Sequence, residues 1–229
     1  MLGCAAAHSQ TGSDMKLYYT PLKGLIHKVQ VVAIEKGIYD SIEARPTIPY
    51  EQWDELTAAN PLSKVPTLVL DDGTPIYGGH VIYEYFDSLT PEPQLFPKDP
   101  KARWVELTRL TLGDQLFDLS SQRQFEINRP KDHIREDFKD RIESAIKRGW
   151  DRVNQDCTDY AGLTVGQISI ACALKYHDWQ HKKNILPWDW REGRPAMKTW
   201  FDRFTDRPSF VPRDDEIAAR PILPIKDRS

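Results

Sequence analysis

The chain has little cysteine and no long apolar run, and its charges nearly cancel. Cys4, Cys157 and Cys172 are the only three cysteines among 229 residues. Their odd number, wide separation and lack of a CxxC pair point away from a disulfide framework or a cysteine zinc site, and favour a reducing, cytoplasmic setting. No apolar stretch approaches the ~18 residues of a membrane-spanning helix, so no membrane partner is expected. The net charge is −3, without a basic stripe or an acidic block, and nucleic acid is not an expected partner either. His177 and His181 share i, i+4 metal spacing but have no carboxylate or third ligand placed beside them, so no metal is expected. The opening MLGCAAAHSQTGSD lacks a basic leader and an apolar core. Residues 1–14 therefore read as a disordered extension rather than a secretory signal, with Met15 as an alternative start to Met1.

What is present is a clear change of pattern along the chain. KLYYT is short, aromatic and strand-like, and Pro21 ends it because proline cannot donate to a ladder. Leu25, Val29, Val32 and Ala33 then fall on one face of a helix that Gly37 can terminate. SIEARPTI predicts a second strand, EQWDELTAAN a short helix ending near Asn60-Pro61, and VPTLVLDDGTPIY a hairpin around Asp72-Gly73. Val81 to Leu89 predicts a third helix. This β-α-β-α-β-β-α order implies a small mixed sheet with helices on its faces, over residues 15–90. The proline-dense TPEPQLFPKDP predicts an extended linker at about residues 91–100.

From residue 101 onward the chain reads as helix: Ala102 to Asn128, Lys131 to about Asp156, Thr164 to His181 and Pro195 to Thr205. Thr164 and Gln167 have the spacing of a reciprocal capping box. The fold class is thus a mixed α/β half followed by an all-α half, 101–229.

Two stretches carry chemistry. In NPLSKVPTL, a proline opens a strand, and a cis Val65-Pro66 bond would turn the Val65 backbone outward to grip another peptide; a proline merely starting an edge strand is the alternative. In YGGH, Gly78 and Gly79 stand where a helix cap is expected, although Ser, Thr, Asp and Asn are the usual caps.

Taken together, KLYYTP, HKVQVVAIEKG, NPLSKVPTLVLDDG, VIYEYFDSL, LTVGQISIACAL and GRPAMKTWFDRFTDRPSF resemble the glutathione transferases, nearly throughout Met15 to Val211. The resemblance implies a thioredoxin-like N-terminal domain, an all-helical C-terminal domain and a homodimer. It further implies that glutathione is the co-substrate and lies along the stretch Lys64, Val65, Pro66, with its γ-glutamyl end at Gly78, Gly79 and His80. Its thiol would face the start of the first helix, and a small hydrophobic electrophile would enter the cleft against the helical half. Trp104, Leu112, Leu116 and Phe117 on the long helix are candidates for that pocket, with packing in the core as the alternative. Detoxification is the role such chemistry serves.

This chain departs from the family pattern twice. Gly78 and Gly79 take the places of an acidic residue and a serine that commonly hold the γ-glutamyl group, which leaves backbone N–H groups and the helix dipole. In the loop TPLKG no serine or cysteine stands near the first helix, and Thr20 and Lys23 are the catalytic candidates. His27, where relatives often have arginine, is a weaker binding candidate. Lowering a thiol pKa by about 2 units needs roughly 2.7 kcal/mol of thiolate stabilisation. A hydroxyl hydrogen bond, a helix start and a nearby ammonium are groups of the right size for that. The expected function is glutathione transfer to an electrophile; the alternative is a non-catalytic or weakly catalytic binding protein on the same fold. Glutathione-dependent reduction or dehalogenation is disfavoured by the lack of a loop cysteine.

Overall fold

A computed structural model of the protein describes residues 15–20, 27–47 and 54–211. Four strands form one mixed sheet in the order β2-β1-β3-β4, with β1 at Met15–Tyr19, β2 at Ile42–Pro46, β3 at Thr67–Val69 and β4 at Pro75–Tyr77. β1 and β2 are parallel, joined through α1 (Lys28–Glu35), whereas β3 is antiparallel to both β1 and β4. After β2 comes α2 (Asp54–Ala59), and after the hairpin α3 (Gly79–Leu89). This is the thioredoxin-like arrangement followed by helices: α4 (Pro100–Ile127), α5 (Glu136–Asp156), α6 (Val165–Lys182) and α7 (Pro195–Phe204).

The strands are short, and their pattern follows burial. Leu17, Tyr18 and Tyr19 are all buried, because β1 lies inside the sheet with helices against it. The first helix differs from a one-faced amphipathic helix: Val29, Gln30, Val31, Val32 and Ala33 are consecutive and all buried. It is enclosed because α3 packs on one side of it and α6 of the helical half on another. α6 is buried along nearly its whole first half, from Val165 to Leu174, and serves as the central post of the helical half.

Local signals fared variously. Asp99 caps α4 by accepting from Ala102 N–H, so that helix begins at Pro100 rather than at Ala102. Only half of the expected capping box forms. The Thr164 hydroxyl accepts from Gln167 N–H, but the Gln167 side chain turns away and donates to Ala161 O at 2.9 Å. The segment from Lys131 to Asp156 is broken: a 3-10 turn at Lys131–His133 precedes α5, which starts at Glu136. The connector runs from Thr90 to Asp99 between α3 and α4, and it is pinned at its start. Lys36, with its side chain fully buried, donates to Asp87 Oδ1 (3.0 Å), Thr90 O (2.8 Å) and Pro93 O (2.7 Å).

His177 and His181 are structural. His177 is fully buried, and its Nδ1 accepts from the Trp150 indole N–H at 2.9 Å. The other nitrogen is then N–H and lies 2.5 Å from the Ser120 hydroxyl, which leaves no lone pair for a metal. His181 Nδ1 bonds Leu186 O at 3.0 Å. Burial pushes the His177 imidazolium down to about 4. A base whose folded pKa lies below its unfolded value is stabilising above the unfolded value, and that contribution is lost as pH falls towards the folded one. Lowering the pH from 7 to 5 is therefore expected to cost about 2 kcal/mol through this residue alone. Urea unfolding at the two pH values checks it, and the difference should shrink in His177→Gln.

Candidate functional site at the sheet edge

Strand register brings the scattered sequence candidates to one edge. Tyr18 pairs with Thr67, and Thr67 pairs with Tyr77, so these three residues form a row across β1, β3 and β4. Chain direction then decides what lies beyond the row. β1 and β4 leave it toward Thr20 and Gly78, while β3 enters it from Val65-Pro66. Thr20, Val65-Pro66 and Gly78 therefore share one end of the sheet. Two inter-strand spacings make that row about 9.5 Å long.

The middle of the row is backbone. Val65-Pro66 is cis. The loop leading to it is held from within by Asn60, the buried residue that opens the NPLSKVPTL stretch. Asn60 Nδ2 donates to Lys64 O (3.0 Å) and Thr67 Oγ1 (3.1 Å), and its Oδ1 accepts from Leu62 N–H. Thr67 Oγ1 itself donates to Lys64 O at 2.7 Å. Lys64 is thereby fixed through its carbonyl, with its side chain exposed, while among the described residues Val65 N–H and C=O have no protein hydrogen-bond partner. An extended peptide laid here would find one donor and one acceptor on a rigid support.

At one end of the row, Gly78 is the N-cap of α3, and the helix starts two residues before the expected Val81. Both glycines have steric reasons. Gly78 has φ +90° and ψ 122°, which residues with a side chain rarely adopt. A Cβ on Gly79 would lie 2.6 Å from the Tyr83 hydroxyl and 2.9 Å from Tyr83 Cζ. Val81 and Ile82 N–H both return to Gly78 O, so the N–H groups of Gly79 and His80 are the free donors of the first turn. His80 does not lean over this turn. Its Nε2 meets Asp114 Oδ2 on α4, and its side chain is 47% exposed.

At the other end, Thr20 is partly buried just after β1, and Lys23 lies outside the described residues. His27, the N-cap of α1, packs edge-on against Tyr19 at 5.5 Å, and desolvation pushes its imidazolium down to about 4. The cation at this helix start is Lys28. Its ammonium is paired with Asp114 Oδ1 and donates to Ser169 Oγ at 2.7 Å. No sequence signal marked Lys28, Asp114 or Ser169, because they meet only when α1, α4 and α6 pack together.

The proposed hydrophobic pocket splits up. Leu116 is 2% exposed and belongs to the core, and Leu112 packs against that core. Trp104 is 67% exposed on the outer surface of α4. Phe117 is partly open and lies 4.3 Å from the Tyr176 ring, which in turn stacks on Trp179. Cys172, on the same helix as Tyr176, is buried, and desolvation pushes its thiol up to about 12.

This architecture has close counterparts. Residues 26–89 match the family model of the glutathione S-transferase N-terminal domain. The uncharacterized GST-like protein YibF of Escherichia coli is 28% identical over 205 residues, spanning 86% of this chain and 96% of that protein. A glutathione transferase family member from Pseudomonas fluorescens, solved with bound glutathione, superposes with a TM-score of 0.75 at 28% identity, covering 86% of this chain and 96% of that one. A glutathione S-transferase of Methylobacillus flagellatus, also solved with glutathione, gives 0.77 at 27% identity over the same shares. With this sheet order and this helical half, the chain is similar to glutathione transferases over most of its length, and its residues 26–89 match their N-terminal domain.

Proposed function

We propose that this chain binds glutathione along the row Thr20, Val65-Pro66, Gly78 and transfers it, as thiolate, to a small hydrophobic electrophile. The observation that carries the reading is the match of length and chemistry. A fully extended tripeptide spans about 10 Å, close to the ~9.5 Å of the row. The row also offers a free N–H and C=O in the middle, where the central residue of a tripeptide would lie. The first-turn N–H groups of α3 suit the γ-glutamyl carboxylate. The start of α1 and the Thr20 hydroxyl would face the thiol, and Lys23 is the second catalytic candidate. Two of the structural neighbours were solved with bound glutathione, which supports the choice of ligand.

Phe117, 38% exposed over the buried Tyr176 ring, is the aromatic surface nearest in character to what an electrophile needs. A cytoplasmic location and a detoxifying role accompany this reading. So does a homodimer, which would cover the exposed Tyr77, Val81, Trp104 and Val105. Sedimentation of the wild type as a dimer, and of Trp104→Glu as a monomer, is the expected result.

The test of the main reading is calorimetric titration with glutathione, with ionisation of the bound thiol followed by ultraviolet absorbance. Millimolar or tighter binding with the thiol pKa lowered by about 1–2 units is expected, and Thr20→Val and Lys23→Ala should each reverse part of that shift. No binding at millimolar glutathione would reject the reading. Binding with an unshifted thiol would favour the second reading, a glutathione-binding protein without turnover. The steric exclusion of side chains at Gly78 and Gly79 is what keeps that second reading in view.

A further inference from the structure

One carboxylate touches both helix starts at the ends of the row. Asp114 sits in the middle of α4, in the helical half, yet its two oxygens reach different elements of the sheet half. Oδ1 pairs with Lys28, the first residue of α1, and Oδ2 with His80, the second residue of α3. Ser169 on α6 completes the base of this fork. Its hydroxyl accepts from Lys28 and lies 3.1 Å from Asp114 Oδ1 and 2.9 Å from Leu110 O.

We propose that Asp114 is a positioning residue of the glutathione site: by holding Lys28 with one oxygen and His80 with the other, it sets the separation of the α1 and α3 first turns. The proposal rests on the reading that glutathione lies between those turns. Its physical basis is that a carboxylate with two charge-assisted partners on separate elements fixes both at once. Both partners are on first turns, so a shift of α4 moves the two ends of the row together. Asp114 is partly buried, at 26% side-chain exposure, and Lys28 more so at 13%, so the pair is only weakly screened.

His80 makes the fork sensitive to protons. Burial, and then the Lys28 ammonium, lower its pKa below the ordinary value. The other ionisable groups around the fork, among the described residues, are Tyr83 beneath Lys28, Asp118 on α4 and Cys172 on α6. The last of these stays a neutral thiol near neutral pH. At neutral pH His80 is uncharged and donates Nε2–H to Asp114. On protonation the hydrogen bond becomes an ion pair, and a positive charge arrives on the second residue of α3, within the field of its first turn. A carboxylate bound there favours the protonated ring, so affinity rises as pH falls.

The ligand-free protein tests the coupling first. In the wild type, the His80 ring and the amides of Lys28 and Gly79 should titrate with a common midpoint in NMR spectra, and Asp114→Asn should abolish the response at Lys28. Glutathione titration comes second. Asp114→Asn should raise Kd about tenfold. Wild-type Kd should fall from pH 7.5 to 5.5 by up to about three- to tenfold, the limit set by a pKa rise of half to one unit on binding. His80→Gln, at an exposed position that the fold tolerates, should make that profile flat even if Asp114→Asn proves unstable. Tight wild-type binding with an unchanged Kd in Asp114→Asn, or an unchanged pH profile in His80→Gln, overturns the role of Asp114. Failure of the wild type to bind glutathione refutes the glutathione reading, and this role with it.

Discussion

Replacing Lys36 by methionine is expected to lower the unfolding free energy by about 3–5 kcal/mol, the range for breaking one partner of a buried pair. The ammonium uses its three N–H groups on Asp87 Oδ1, Thr90 O and Pro93 O. Methionine fills similar volume but supplies no donor. Asp87 would keep the N–H groups of Leu95 and Phe96, at 2.8 and 3.1 Å, yet lose its counter-charge. The two carbonyls, on half-buried residues, would lose the donor that ties them to α1. Leu95 and Phe96 are themselves buried, so the loss is transmitted to the connector that carries the chain from α3 to α4. Urea unfolding measures the cost. A double change, Lys36→Met with Asp87→Asn, should recover part of it, because the uncompensated charge is removed; a strictly additive result would show that the pair is not coupled.

Lys36 also illustrates where reading the sequence stops. Element order was legible because apolar period, Gly37, Asp72-Gly73 and the prolines each act locally. The cis Val65-Pro66 was legible only as one of two readings of a proline at a strand start, the other being an ordinary edge-strand proline. A buried lysine was not legible: lysines are almost never fully buried, and nothing in IEKG says that three acceptors wait 50 or so residues further on. Asp114, Lys28 and Ser169 were hidden for the same reason, since their meeting depends on how α1, α4 and α6 pack. Leu116 could be read as pocket or core, because an apolar residue on a long helix looks alike in either place, and the packing puts it in the core. Even the half-formed capping box is tertiary in origin. Trp200 Nε1 donates to Gln167 Oε1 at 3.4 Å and Ala161 O takes its amide, so the side chain is already engaged elsewhere. At the row itself, positions were legible but orientation was not: His80 turned to α4 instead of to the free N–H groups beside it.

Restoring a serine at position 79 should fail alone and succeed with help. Gly79→Ser places a Cβ 2.6 Å from the Tyr83 hydroxyl and 2.9 Å from its Cζ, contacts that real side chains do not make. Tyr83 is 5% exposed in the core, so it cannot swing out to solvent, and the single substitution is expected to cost about 1–3 kcal/mol of stability through overpacking. Glutathione affinity should then stay level or fall, because the start of α3 is displaced. Gly79→Ser combined with Tyr83→Leu removes the obstructing atoms. The new hydroxyl could then donate to the γ-glutamyl carboxylate, a charge-assisted bond worth about 1–3 kcal/mol, or roughly 5- to 150-fold in Kd. Tyr83→Leu alone serves as the reference, since it carries the cavity without the hydroxyl. Gly78→Glu should not behave this way. The obstacle there is φ +90°, not a neighbour, and no second substitution relieves it. If Gly79→Ser alone tightens glutathione binding, Tyr83 is not what excludes a side chain, and the paired glycines need another cause. If only the double variant does, the glycine at 79 is an accommodation to Tyr83, and the helix start remains a carboxylate site that works through its backbone.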